Sequence, residues 1–258
     1  MRWFARAATA LYILALPLFL ITTNVRFLAG EVRLYERGFR EYNAAQRTGL
    51  ALPELDRSAR ELIDYFENDS TALRILVTRD GEEISLYNQR ETAHMKDVKS
   101  LIRAVFRVNE ISLAYILTYV AAVFLWAGTG SLRRLGLETL GGVGVGVLIV
   151  AVVGGFAVAG FDETFTRFHQ IFFSSGSWTF NPRTDRLIQM FPEPFWQDET
   201  YILAALTLAE AVALSVASIA ALLFAKPAAG DGGADAQPAR RPARVERIRR
   251  RRPVARSE

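Results

Sequence analysis

The sequence predicts a membrane α-helical protein: a bundle of four transmembrane helices with a small α+β extracytoplasmic cap built from two outer loops. Of its 258 residues, 51% are apolar, and the mean hydropathy is +0.15. Charged residues still make up 22%, and they are crowded into blocks between long apolar runs. Because a helix needs roughly 20 mostly apolar residues to cross a bilayer, we expect transmembrane helices in residues 1–25, 111–128, 139–160 and 201–224.

The first apolar run also has features of a secretory signal peptide, because Arg2 and Arg6 precede it. It is longer than the usual hydrophobic region of a signal peptide, and no A-x-A cleavage site follows it promptly. We therefore interpret it as a retained membrane anchor.

The distribution of lysine and arginine predicts the orientation of the chain. These residues are concentrated at the N-terminus, in the link 129–138 between the second and third spans, and in the tail 225–258. They are Arg2 and Arg6, Arg133 and Arg134, and Lys226 with nine arginines. Since cytoplasmic connections carry an excess of lysine and arginine, we expect both termini and the link in the cytoplasm. Residues 26–110 and 161–200 are then expected on the extracytoplasmic side.

The tail 225–258 is rich in Pro, Gly, Ala and Arg and has little that a core could bury, so it is predicted to be disordered. At about 1 kcal/mol per basic residue near an anionic leaflet, it is expected to bind anionic lipid. The sequence pI of about 9.6 is therefore a property of the tail, and we expect no nucleic acid partner. The chain has no cysteine, which excludes disulfide and thiol chemistry.

The first outer segment, 26–110, has the pattern of a small folded unit. Two helix-like stretches come first, and Pro53 and Asp56 open the second. The run LRILVTRDGEEISLYNQRE alternates and breaks at Asp80-Gly81, which is typical of a β-hairpin. Helical spacing then returns and is expected to continue into the second span, with His94 near the start of that helix.

His94 and His169 are the only histidines in the chain, and both fall in the segments expected outside. Histidine exchanges protons near neutral pH, so these two are the first candidates for chemistry. Asp97 follows His94 by one helical turn, where a carboxylate can hold an imidazole in one tautomer. A histidine beside an acid at a helix start is more often a solvated cap, so the spacing alone leaves both interpretations open.

The second outer segment, 161–200, is dominated by aromatic residues. Phenylalanines surround His169 at helical spacings, namely Phe165, Phe168, Phe172 and Phe173. Further aromatics, including Trp178, follow on a predicted hairpin that turns at 181–185, where Asp185 is expected to fix the turn. Most of these residues suit the membrane headgroup layer. His169 would be desolvated there and biased toward its neutral, proton-accepting form.

Two blocks of sequence resemble a known family. They are ETAHMKDVKSL at 91–101, and FHQIFF at 168–173 followed by SWTFNPRTDRLIQMFPEPFW at 177–196. Lesser matches are TTNVR at 22–26 and LYERGFREY at 34–42. In these blocks the chain resembles the lipoprotein intramolecular transacylases, the Lit family, and related uncharacterised bacterial integral membrane proteins.

The resemblance implies an acyltransferase of the bacterial cytoplasmic membrane, with its active site at the extracytoplasmic face. Such an enzyme moves the sn-2 acyl chain of a diacylglyceryl-cysteine to the α-amino group of the same cysteine. Its partners would be a diacylated lipoprotein N-terminus and membrane lipid, and no cofactor is expected. The two family histidines match His94 and His169, which the resemblance implies are the catalytic pair.

This activity is compatible with the chemistry of the residues. An α-amine must lose a proton before it attacks an ester, so one imidazole is needed as general base and the leaving oxygen needs an acid. We expect direct attack, with His169 as base and His94, oriented by Asp97, as acid or partner. Arg26, at the outer mouth of the first span, is expected to stabilise the oxyanion or hold a lipid polar group. A transient acyl-imidazole is the competing route.

Other functions are less well supported by the sequence. The serines of SSGSW at 174–178 lack a G-x-S-x-G elbow, and serines beside glycine usually form turns. The two histidines with Asp97 or Asp185 could instead bind zinc in a metal-dependent membrane hydrolase, but the sequence has no H-E-x-x-H motif and three firm ligands are not evident. A non-enzymatic sensor or scaffold would make the histidines dispensable. Glu210, in the fourth span, is equally a functional residue or a packing contact.

Overall fold

The computed structural model describes residues 2–126, 130–173 and 176–224, and it is mostly helical. In chain order the helices are α1 (Arg2–Gly30), α2 (Val32–Glu41), α3 (Ala44–Thr48), α4 (Leu52–Glu67), α5 (Gln89–Trp126), α6 (Ser131–Ala159), α7 (Phe161–Phe172), α8 (Arg186–Met190) and α9 (Glu193–Phe224). Two strands, β1 (Leu76–Arg79) and β2 (Glu82–Ser85), lie between α4 and α5. The tail 225–258 and two serines, Ser174 and Ser175, lie outside the described residues, so the predictions for them stay predictions.

Four helices, α1, α5, α6 and α9, are long and apolar enough to cross a membrane, which confirms the expected number of spans. Three of them extend well beyond the predicted bounds. At about 1.5 Å per residue, α5 is about 57 Å long, nearly twice the ~30 Å of hydrocarbon. Its apolar run begins at Ile111, so residues 89–110 form a more polar extension that is continuous with the span. The predicted link 129–138 is largely helical, because α6 begins at Ser131.

Glycines allow α6 to pack closely against α1, as their abundance in the third span predicts. A Cβ on Gly142 would lie 2.9 Å from Leu16 Cδ2, and one on Gly146 would lie 3.2 Å from Pro17 Cβ. In membrane bundles no hydrophobic effect drives helices together, so close packing matters more. Small residues let two helix backbones approach each other closely. These two glycines therefore set the α1–α6 distance.

Glu210 joins α9 to α1 within the bundle. Asn24 Nδ2 donates to Glu210 Oε2 at 2.9 Å and to Thr207 Oγ1 at 3.1 Å. An amide that satisfies a carboxylate reduces the cost of a polar group among apolar helices. The contact supports the packing interpretation of Glu210.

A second hydrophobic core lies outside the bundle of the four long helices. It is formed by residues between α1 and the apolar part of α5, together with α8 and the start of α9. Its most deeply buried members include Phe39, Leu55, Ile75 and Met190. Within the described residues its β structure is one hairpin, whose turn residues Asp80 and Gly81 have φ of 53° and 86°. Positive φ at both positions is what a two-residue hairpin turn requires, so the predicted hairpin is confirmed.

The second predicted hairpin, turning at 181–185, is wrong. A turn is present, since the amides of Thr184 and Asp185 both donate to Asn181 O, but α8 follows it instead of a strand. Leu187 and Met190, three residues apart, share one face of that helical turn and are both buried in the second core. Burial of this face favours helical over extended geometry.

Candidate active site

His94 is positioned by a capping box at the start of α5. Asn88 Oδ1 accepts from the backbone amide of Glu91 at 3.0 Å, and Glu91 Oε2 accepts in return from the amide of Asn88 at 2.8 Å. These reciprocal bonds satisfy amides that would otherwise lack partners at a helix start. The first turn of α5 is therefore held firmly, and His94 projects from the next turn.

The same glutamate also connects α5 to α8. Glu91 Oε1 accepts from the amide of Leu187 at 2.6 Å, and the side chain is 1% exposed. Burial raises the pKa of Glu91, although its bonds from the amides of Leu187 and Asn88 partly oppose that rise. One carboxylate thus joins two segments that are distant in sequence.

Asp185 provides a parallel connection. It accepts from Arg90 Nη2 at 2.6 Å, from Asn88 Nδ2 at 3.1 Å and from the amide of Asn181 at 2.7 Å. Burial opposes ionisation, but the Asn181 amide and the Arg90 guanidinium outweigh it, and the pKa of Asp185 lies below its usual value. Asp185 therefore fixes the turn, as expected, and also ties it to the start of α5.

His169 projects from α7, and its tautomer follows from its hydrogen bond. Nδ1 lies 2.8 Å from the carbonyl oxygen of Phe165. Because a carbonyl can only accept, Nδ1 carries the hydrogen in the neutral ring, and Nε2 keeps its lone pair. The ring is thus arranged to accept a proton at Nε2.

The two imidazoles face each other across a narrow gap. Their ring centroids are 6.0 Å apart and their planes differ by 24°, while His94 is 5% exposed and His169 8%. The near-parallel rings form a loose stacked pair at this distance. Two side chains from segments distant in sequence therefore meet at one place.

Aromatic side chains enclose this pair on several sides. Phe173 and Phe180 have ring centroids 4.8 and 5.4 Å from that of His94. Phe165 and Trp178 lie at 4.2 and 4.9 Å from His169. The pair therefore lies in largely apolar surroundings.

This enclosure changes the proton affinity of both rings. Burial, together with a smaller effect of the neighbouring His169, lowers the pKa of His94 to about 4. Burial also lowers the pKa of His169, partly opposed by its bond to the Phe165 carbonyl. Both imidazoles are therefore neutral at neutral pH, which agrees with the expectation for His169.

Comparison with known proteins relates this site to a family. The family model described as lipoprotein intramolecular transacylase Lit matches residues 10–196. The chain belongs to the Lit family. This membership places it among the acyltransferases.

Solved structures of membrane-integral Lit from Bacillus cereus share the fold. One superposes with a TM-score of 0.71 at 16% identity, covering 86% of this chain and 98% of that chain. A variant with one histidine replaced by alanine gives a TM-score of 0.68 at 17% identity, covering 84% and 93%. An uncharacterised protein of Aquifex aeolicus is 28% identical over 121 residues. That match covers 47% of this chain and 51% of the relative, so the chain matches about half of its length.

Asp97 does not have the position expected of a partner for His94. The Asp97 side chain is exposed, and His94 Nδ1 is buried with no hydrogen-bond partner among the described residues. The prediction that Asp97 orients His94 is therefore wrong. One helical turn brings two residues to the same side of a helix, but His94 turns into the aromatic pocket while the carboxylate stays in water.

Arg26 lies away from the pair as well. Its Nη1 is 3.1 Å from Glu110 Oε1, and its guanidinium lies 4.6 Å from the ring of Phe106. At about 1.5 Å per residue, Glu110 is about 24 Å from His94 along α5. Arg26 is thus at the mouth of the span, as expected, but it cannot contact an oxyanion held between the two histidines.

Some residues of the site were not anticipated from the sequence. Phe180 contacts His94, and Glu91 anchors the helix that carries it, yet neither had been assigned a role. For Glu91 a signal existed: NQRE at 88–91 has the spacing of a capping box. For Phe180 there was none, because its contact depends on how the turn at 181–185 folds back.

Proposed function

We propose that the chain moves the sn-2 acyl chain of a diacylglyceryl-cysteine lipoprotein to the α-amine of the same cysteine, with His94 and His169 as the catalytic pair. The observation that carries this proposal is the pair itself, two buried imidazoles whose ring centroids are 6.0 Å apart. Protons are exchanged over hydrogen-bond reach or through one water, and two rings this close can act on the same bound group.

His169 acts as the general base in this mechanism. An α-amine is protonated near neutral pH, and it releases one proton to solvent before reaction. As the resulting amine attacks the ester carbonyl carbon, its nitrogen must lose a second proton. Nε2 of His169 takes that proton, because Nδ1 is committed to Phe165 O.

His94 stabilises the tetrahedral intermediate. When the new N–C bond forms, the carbonyl electron pair moves to oxygen as an oxyanion. A neutral imidazole always carries one N–H, and Nδ1 of His94 is buried without a partner. A preorganised donor in a water-poor site stabilises such a charge far more than it would in water.

Collapse of the intermediate completes the transfer. The oxyanion electrons re-form the carbonyl, the bond between carbon and the glycerol oxygen breaks, and the His169 imidazolium returns its proton to that oxygen. One N–C bond replaces one C–O bond, and both histidines are neutral again. Amine and ester belong to one molecule, so holding them in reach lowers the barrier without an acyl-enzyme.

The surface beside the pair fits a lipid-linked substrate. Phe168, Ile171 and Phe172 of α7 are 43, 74 and 52% exposed, an apolar face directly beside His169. We place this face in the outer headgroup layer, with residues 26–110 and 161–200 as an extracytoplasmic cap and both termini in the cytoplasm. The lysine and arginine distribution supports that orientation.

The proposal is tested by examining lipoprotein N-termini by mass spectrometry in cells that express each variant. His94→Gln and His169→Gln should each abolish the N-acylated lyso-form, while Asp97→Asn should retain it. If the unaltered chain never yields the lyso-form, the proposed reaction is wrong. If both glutamine variants yield it, the histidine mechanism is wrong.

The acyl-imidazole route gives a different result in one measurement. It requires an acyl group on His94 or His169 during turnover, which rapid quenching and intact-mass analysis would detect. Direct attack predicts that no acylated protein accumulates at any time point. Among the described residues no three His, Cys, Asp or Glu side chains come together as metal ligands, so activity is expected to persist with a chelator.

A further inference from the structure

At the end of the bundle opposite the histidines, a polar network joins three helices. Tyr119 of α5 donates to Glu138 Oε2 of α6 at 2.8 Å, and Thr9 of α1 donates to Glu138 Oε1 at 3.0 Å. Arg134 Nε donates to Glu138 Oε1 at 2.9 Å, and its Nη2 reaches Tyr119 Oη and Thr9 Oγ1 at 3.0 and 3.2 Å. The guanidinium is therefore held in a fixed orientation.

This arrangement leaves part of Arg134 unused. A guanidinium has five N–H donors, and the structure gives Nη1 of Arg134 no hydrogen bond within the described residues. The side chain is 41% exposed. Arg134 also lines two open clefts of about 330 and 400 Å³. A fixed, half-exposed guanidinium with a free Nη1 is suited to donate to one oxygen of an anion.

The larger cleft has the shape and lining for one end of a lipid. It lies between α1 and α6, and the residues that line it are Ala5, Arg6, Thr9, Ala10, Ile13 and Arg134. Its walls are thus apolar toward the middle of the bundle and cationic at the mouth. This arrangement matches a lipid, whose acyl chain is apolar and whose headgroup is charged.

Charge at this end favours an anion. Arg6 and Arg133 are both exposed, and in the described part of the chain neither forms an ion pair. Together with Arg134 they outnumber Glu138 by three charges to one. Trp3, 80% exposed and 5.8 Å from the Arg6 guanidinium, is the kind of residue found at headgroup depth.

We propose that this end of the bundle binds an anionic phospholipid, with its phosphate against Arg6, Arg133 and Arg134 and one acyl chain in the cleft between α1 and α6. The site differs from the predicted lipid binding by the tail, since it lies on the folded bundle. It also does not depend on the proposed transacylation, because it is at the far end of the spans from His94 and His169.

The test compares lipid retained by the full chain in native mass spectrometry after purification from mixed vesicles of phosphatidylglycerol and phosphatidylcholine. The variant is Arg6→Gln with Arg133→Gln, which leaves the Arg134 network intact. At about 1 kcal/mol per basic residue, it should retain phosphatidylglycerol roughly 10- to 30-fold less tightly. The matched control is Arg47→Gln with Arg74→Gln, two exposed arginines remote from the cleft, which should change nothing.

A third arm separates the bundle from the tail. Replacing the arginines at 249–252 by glutamine removes a basic cluster from the tail. If that variant loses phosphatidylglycerol while Arg6→Gln with Arg133→Gln retains it, the proposed site is wrong. The same conclusion follows if the matched control loses as much lipid as the cleft variant.

Discussion

The end of the bundle that carries Arg134 is here called the arginine end, and the end near His94 and His169 the histidine end. At the arginine end, Tyr119, Glu138 and Thr9 each have a polar partner on another helix. At the histidine end, the buried Nδ1 of His94 has no partner among the described residues. Both places remove polar groups from water. In the first, Tyr119, Thr9 and Arg134 satisfy the Glu138 carboxylate and join three helices. In the second, an unpartnered nitrogen costs stability of about 1–3 kcal/mol. The contrast is between polar groups that hold helices together and a buried nitrogen left without a partner at the proposed catalytic site.

The largest effect that this contrast predicts is on activity at the histidine end. His169→Gln should lower the rate of lyso-form production by roughly 10²- to 10⁴-fold, the usual contribution of a general base. Its thermal unfolding temperature should fall only modestly, because glutamine fills part of the volume that the ring occupies against Phe165 and Trp178. Activity and thermal unfolding are to be measured on the same preparation. A variant that loses stability in proportion to activity would contradict the contrast.

Glu91→Ala should lower both the stability of the fold and its activity. It leaves the amides of Asn88 and Leu187 without their carboxylate partners, at a cost of about 2–5 kcal/mol in unfolding free energy. It also releases the helix start that carries His94, so activity should fall further than the loss of folded protein explains. Glu91→Gln, which keeps one acceptor oxygen, should recover part of both. Equal activity per folded molecule in all three forms would show that Glu91 does not position His94.

Acidic pH should destabilise the fold through the histidine end. The pKa of His94 is about 4 in the fold, against about 6.5 unfolded, so between these values the unfolded chain binds more protons. Stability is therefore complete above about pH 6.5 and falls toward pH 4, by on the order of 3 kcal/mol. Thermal unfolding across this range, compared with His94→Gln, measures the contribution. A variant with the same pH slope as the unaltered chain would assign the loss to other groups.

Tyr119→Phe should affect only stability. It removes the hydroxyl that Glu138 and Arg134 share, at about 1–3 kcal/mol, while the stack of its ring on Tyr12 at 4.7 Å between centroids is retained. Activity per folded molecule should match that of the unaltered chain. Loss of activity without loss of stability would mean that the two ends of the bundle are coupled.

Asp97→Asn should have the smallest effect. The side chain is exposed and makes no contact with His94, so activity should stay within about twofold and unfolding within about 0.5 kcal/mol. Lyso-form yield and thermal unfolding both test it. A large loss of activity would show that Asp97 has a role in catalysis.

Much of the fold could be predicted from local patterns. Apolar run length indicated four spans, and Asp80-Gly81 indicated the hairpin, because both depend on neighbours in sequence. The bounds of the spans could not be predicted, because α5 continues past its apolar run on the strength of helical propensity and its Asn88–Glu91 cap.

The candidate site was predicted less completely. His94 and His169 were found through their motifs, and the structure brings them together. Asp97 and Arg26 were assigned from spacing and from position along a span, neither of which fixes the direction of a side chain or its distance from a partner across the fold. The contact of Glu91 with Leu187 joins segments nearly a hundred residues apart, which no local pattern encodes.

The continuity of α5 has a mechanical consequence. His94 and Trp126, at the other end of α5, lie about 48 Å apart along the helix axis. The helix is continuous between them. A tilt of the span by about 5°, such as a change in bilayer thickness produces, would displace a free helix tip by about 4 Å, several times the ~1 Å that catalysis tolerates. The bonds of Glu91 and Asp185 therefore hold the His94 end of α5 in place when the span tilts. Activity should depend far more steeply on lipid chain length in Glu91→Ala than in the unaltered chain.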